Sequence, residues 1–141
     1  MKNILFFLLA ISSLTSFKAP QVKEFLLAGK WKADGVTNSI DYLIFDSEGY
    51  AAMQRGTEVL GGKEFVINGK KGRMTYKTDY SKKPAHLDFV VTKVDSKETM
   101  TIKAIIEIIN NDEIKVAISE GDDQRPDNFN ASTIVFKRVK Q

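Results

Sequence analysis

The side chains able to do chemistry are few and far apart. His86 is the single histidine of the 141-residue chain, and there is no cysteine. An imidazole works as a general base only with a nucleophile and an orienting partner in reach. No Ser-x-x-Lys, Gly-x-Ser-x-Gly or paired-histidine motif accompanies His86, so it reads as a surface residue. Oxygen ligands crowd into Glu120-Gly121-Asp122-Asp123-Gln124-Arg125-Pro126-Asp127-Asn128. Calcium would be the ion for such a run, yet the order lacks the alternating acids and closing glutamate of an EF-hand loop. A solvated loop in which Arg125 pairs with a neighbouring acid explains it with less. Zinc would want His, Cys and carboxylate in concert. The expectation is therefore no catalytic residue, no cofactor, no metal, and not an enzyme.

Two further motifs carry little. Gly61-Gly62 and the Gly69 to Gly72 stretch lack the strand-to-helix setting of a phosphate loop and read as hairpin turns. Asn130-Ala131-Ser132 fits a glycosylation sequon, which has weight only in a eukaryotic host.

The chain opens with Met1-Lys2-Asn3, then the apolar run from Ile4 to Ile11, then Ser12, Ser13, Thr15 and Ser16. A positive start, an apolar stretch and small residues describe a secretory leader, and the run is too short to span a bilayer as a retained anchor. The expected domains are a signal peptide over 1–19, cleaved between 13 and 19, and a single folded domain over 20–141. The destination is a periplasm or the medium, with no stable membrane span after cleavage. The pI of about 9.0 and the formal charge of +3 overstate how basic that domain is, because Lys2 leaves with the leader. Lysines and acids interleave, so no stripe stands ready to neutralise a row of phosphates, and nucleic acid is not expected as a partner.

The remaining chain reads as β-structure. Short alternating segments fall near 30–36, 40–46, 50–55, 64–68, 72–78, 86–94, 100–109, 113–119 and 133–139, separated by Gly, Asn, Asp and Lys clusters suited to hairpin turns. One exception precedes them: Val22, Phe25 and Leu26 lie at helical spacing and predict a short turn of helix. Alternation assigns the faces. Leu87, Phe89 and Val91 oppose His86, Asp88 and Thr92; Ile102, Ala104, Ile106 and Ile108 oppose Thr101, Lys103 and Glu107; Ile114, Val116 and Ile118 oppose Glu113, Lys115 and Ser119. A one-sided meander of eight or nine strands leaves two raw edges unless it closes. The predicted fold class is all-β, an up-and-down antiparallel barrel.

Gly29-Lys30-Trp31 at the start of the first strand resembles the G-x-W signature of lipocalins and the wider calycins. The resemblance implies that Trp31 plugs one barrel end with a basic residue of the last strand across its ring. Arg138 shares parity with Ile134 and Phe136 and fits that role. A closer likeness is to a lipocalin-like domain of bacterial exported proteins, in Lys83-Pro84-Ala85-His86-Leu87-Asp88, in Ile106-Glu107-Ile108 followed by Asp112-Glu113-Ile114-Lys115-Val116, and in Arg125-Pro126-Asp127-Asn128-Phe129. One departure is Ile106, where that domain has tyrosine. The likeness implies a lipocalin-like barrel spanning Gly29 to Lys140, and no reaction, since fold does not fix function.

Two functional expectations remain. In the first, the barrel holds a small apolar ligand, with Tyr42, Met53, Tyr76 and Phe89 as candidate contacts, while Trp31 and Arg138 close the far end. In the second, bulky inward residues fill the lumen and the protein acts through a surface, beginning with the 120–130 loop, on a protein partner that the sequence does not name.

Overall fold

The computed structural model describes residues 25–35, 39–119, 123–130 and 132–141. The expected leader over 1–19 and the first part of the expected helical turn lie outside the described residues. The part of that turn that is described, 25–28, is not helical. The reason is competition for carbonyls. The Trp31 indole donates to Leu27 O at 2.9 Å, and Arg138 donates to Ala28 O at 2.9 Å and Leu26 O at 2.7 Å. Those oxygens serve the barrel end instead of a helix.

Among the described residues there are ten strands, not eight or nine: β1 (Gly29–Ala33), β2 (Tyr42–Phe45), β3 (Ala51–Arg55), β4 (Glu58–Gly61), β5 (Phe65–Ile67), β6 (Lys70–Asp79), β7 (Ala85–Lys93), β8 (Thr99–Asn110), β9 (Glu113–Ile118) and β10 (Ile134–Arg138). The additional strand is β4. Gly56 turns the chain at φ +57°, donates to an Asp41 carboxylate oxygen at 2.6 Å and accepts from the Gln54 amide at 3.0 Å. This two-residue turn folds Glu58–Gly61 back onto β3, with Met53 opposite Leu60.

The sheet order is β4-β3-β2-β1-β10-β9-β8-β7-β6-β5, antiparallel at every step. The first and last strands meet in the middle of the sheet, and the β3–β4 end of the sheet meets β6 at a seam. No ladder joins β4 to β5. Instead Met74 N–H donates to Gly62 O at 2.9 Å, Tyr76 N–H donates to Gly49 O at 3.1 Å, and Tyr50 and Thr75 form an isolated bridge. The barrel is thus nearly closed. Gly61 lets β4 lie close on β3 and on the seam, because a Cβ there would stand 2.5 Å from Ala51 O and 3.2 Å from the Met74 sulfur.

Cross-strand register sorts the faces. Trp31, Leu43, Phe45, Met74, Leu87, Phe89, Ala104, Ile106, Ile114, Val116 and Phe136 form one buried cluster, as alternation requires. A side chain of Phe or Leu size buried this way contributes roughly 1.5–3 kcal/mol. At β8 the register shifts between Ile108 and Asn110, leaving Ile109 as an exposed bulge residue before the turn into β9.

Candidate functional site

Three regions are built on this frame: a closed end, a mouth opposite it, and an outer flank crossed by a loop. At the closed end the Arg138 guanidinium lies 4.2 Å from the Trp31 ring centroid. The same guanidinium donates to Leu26 O, Ala28 O and Asn111 O, and lies 3.4 Å from the Asp112 carboxylate. Phe25 completes the cap with its ring 6.2 Å from Trp31. The indole N–H and the guanidinium of this cap both have partners, so its chemistry is structural.

The four expected ligand contacts are not gathered into one place. Phe89 is fully buried, stacked on Phe45 at 6.0 Å. Tyr76 is its register partner and meets Phe45 edge-on at 4.8 Å. Its hydroxyl donates to Asp46 O at 3.0 Å. Burial, then the Asp46 carboxylate and Tyr80, push the Tyr76 phenol above its ordinary value. Met53 opposes Leu43 on the inner register and is half-buried beside Ile40 and Leu60. Tyr42 is in register with Lys32 and Gln54, one residue out of step with the buried Leu43, so it belongs to the outer face, where the Lys30 ammonium sits 4.3 Å from its ring centroid.

The barrel's middle is solid: Leu43, Met74, Leu87, Phe89 and Ala104 are 0% exposed. Space opens further along β5 to β8. There a cleft of about 400 Å³ is lined by Phe65, Ile67, Gly72, Val91 and Met100, together with Asn68 and Thr99 and the charged Lys70, Lys71, Lys93 and Glu98. Register places Phe65 with Gly72 and Lys93, Val91 with Met74 and Met100, and Ile67 with Lys70. All continue the inner face of Met74 and Phe89 beyond the packed core. This is the mouth. Met100 is 59% exposed. Gly72 keeps the cleft wide, since a Cβ there would stand 3.3 Å from the Phe65 ring.

A second space of about 510 Å³ lies between the Tyr80 to Ala85 turn and the segment 127–129. It runs from Ala85, Ile106 and Ile108 of the inner register to Glu107 and Phe129 on the outer flank. There Lys103 donates to Asp123 O at 2.9 Å, and Arg125 donates to the Asp88 carboxylate at 2.6 Å and to Ala104 O at 2.8 Å. Lys115 lies 5.3 Å from the Phe129 ring centroid. The acid that Arg125 selects is therefore on β7, not a neighbour in its own loop. Where this segment crosses the barrel, Ile105 and Ala117 are buried on the outer face, opposite each other in register.

Sequence reasoning passed over Val91, Met100 and Lys70 as site residues. Alternation does place Val91 on the apolar face, and carrying that alternation across the β7–β8 turn reaches Met100. What it lacks is any mark of where along a strand the packing stops. Among the described residues no group of three or more His, Cys, Asp or Glu is placed to hold a metal, and no helix is long and apolar enough to cross a membrane. No protein-family model matches the chain, and neither a curated protein nor a solved structure matches it.

Proposed function

We propose that this chain is an exported, lipocalin-like binding module that takes a small, mostly apolar ligand at the mouth of its barrel. The observation that carries the reading is the apolar cleft of about 400 Å³ on the inner face of β5 to β8, at the end away from Trp31. Its size falls in the range of small-molecule sites, and it sets an apolar floor of Phe65, Ile67, Val91 and Met100 beside polar and charged residues. The G-x-W segment, the Trp31–Arg138 stack and the nearly closed antiparallel barrel support the lipocalin-like part of the reading. The leader-like first residues support export.

Ligand binding at this cleft is testable with the neutral fluorophore N-phenyl-1-naphthylamine. The wild-type domain takes it up with a rise in emission, and Met100→Asp, at an exposed position that leaves the core untouched, weakens uptake at least tenfold. Equal uptake by the variant would move the site elsewhere.

A second reading, a filled barrel acting on a protein partner through its surface, draws on the solid middle of the barrel and on the flank groove beside Phe129. A wild-type domain that takes up no probe at all would favour it.

A further inference from the structure

The mouth has a charge asymmetry that selects among apolar ligands. Two lysines, Lys70 and Lys93, fall on the inner register with Ile67, Phe65 and Gly72. Lys93 is already matched, with its ammonium 3.0 Å from a Glu98 carboxylate oxygen. That pair holds the Glu98 carboxyl below its ordinary value, first through the hydrogen bond from Lys93 and then through its charge, while Lys70 adds only a field from farther off. Lys71 points to the other face of β6 and pairs with Glu64 at 3.2 Å. Lys70 is within ion-pairing distance of no carboxylate among the described residues. It stands at the lip of a cleft floored by Phe65, Val91 and Met100.

Resting on the binding reading above, we infer that the mouth takes an amphipathic monoanion, a single carboxylate at Lys70 joined to an apolar body lying on Phe65, Val91 and Met100. One uncompensated cation calls for one negative charge, and a dianion would meet Glu98. The floor calls for a chain or ring system with no polar atom of its own, because the side chains of Phe65, Val91 and Met100 offer it no hydrogen-bond partner, whereas Asn68, Thr99 and the charged residues line the rest of the cleft. At roughly 30 Å³ for each water-sized atom, the cleft holds on the order of a dozen, which suits a medium-length alkyl or small aryl carboxylate.

The test is isothermal titration of the folded domain with dodecanoate and with dodecan-1-ol, which share the tail and differ in charge. The expected result is dodecanoate binding about tenfold tighter, with Lys70→Gln narrowing the gap to about twofold and leaving the alcohol unaffected. Equal binding of acid and alcohol, or a gap that survives Lys70→Gln, overturns this inference and leaves the binding module standing. Binding of neither overturns both. Cosedimentation with phosphatidylglycerol vesicles, without uptake of free dodecanoate, overturns it in favour of a lipid surface.

Discussion

Arg138 is one side chain with several tasks: it covers the Trp31 ring, gathers the carbonyls of Leu26 and Ala28, and holds the β8–β9 turn through Asn111 O. Only a planar fork with five donors can do all of this at once. Tyr76 is the comparable residue at the seam, with its ring against Phe45 and its hydroxyl on Asp46 O. Because burial raises its pKa, the fold prefers the neutral phenol. That preference stabilises fully below the ordinary value of 10.0 and is lost as pH rises through the folded value. Tyr76→Phe is expected to cost about 1 kcal/mol near neutrality through the lost hydrogen bond. In thermal melts carried past pH of about 10, the wild type should lose stability faster than the variant. Parallel curves for the two proteins would remove Tyr76 from the alkaline transition. Trp31 and Arg138 were legible as a pair because the G-x-W resemblance implies a basic residue of the last strand across the tryptophan, and the parity of Arg138 fits that role. Tyr76 was legible as inward, but its partner was not, since Asp46 is thirty residues away and offers a carbonyl that any residue would carry.

At the scale of elements, the segment 123–130 behaves as a strap. Arg125 ties it to β7 through Asp88 and to β8 through Ala104 O, with both charged side chains partly buried. Asp88→Asn, Arg125→Gln and the double variant form a cycle whose expected coupling is about 1–2 kcal/mol, between the values for exposed pairs and for hydrogen-bonded charges. Urea midpoints give the number, and faster proteolysis between 119 and 133 should accompany either single change. Zero coupling with unchanged protection would make the strap incidental. Its two ends were visible as short sequence segments, Lys83 to Asp88 and Arg125 to Phe129, but the ion pair joining them was not. Alternation describes one strand at a time and says nothing of what crosses its outer face. The same blindness hid Ile105, which is buried on the wet side of β8 because the strap passes there. The extra strand β4 was missed for a different reason. Arg55-Gly56-Thr57-Glu58 is a turn whose Gly56 conformation depends on Asp41, on a segment distant in sequence.

For the molecule as a whole, most of the architecture was readable from period-two alternation: an all-β antiparallel meander with one apolar face. Closure was readable as a necessity, from the cost of raw edges, and its location was not. The ladder runs unbroken from β4 through β1 and β10 to β5, so the weak point of the ring lies where the β3–β4 end meets β6, and single hydrogen bonds from Met74 and Tyr76 to Gly62 O and Gly49 O replace a ladder. Residues on either side of that seam also differ in extent. Strands β6, β7 and β8 run 10, 9 and 12 residues, against 4 or 5 for β1 to β4. The longer half projects past the packed core, and its inner face forms the mouth.

The pairing of β1 with β10 has a consequence for how the chain could be cut. Trp31 lies opposite Arg138, so the start of β1 and the end of β10 emerge at the same end of the barrel. A short glycine-serine linker could join them, and new termini could be opened at Gly62-Lys63, where no ladder would be broken. Such a circular permutant would keep every β-ladder and make the β1–β10 pair a local hairpin in sequence. Its refolding rate should rise relative to the natural order, and stopped-flow fluorescence of Trp31 would read it. A permutant that folds no faster would mean that β1 and β10 dock after the rate-limiting step, and that the ring is zipped from the β6–β7–β8 side.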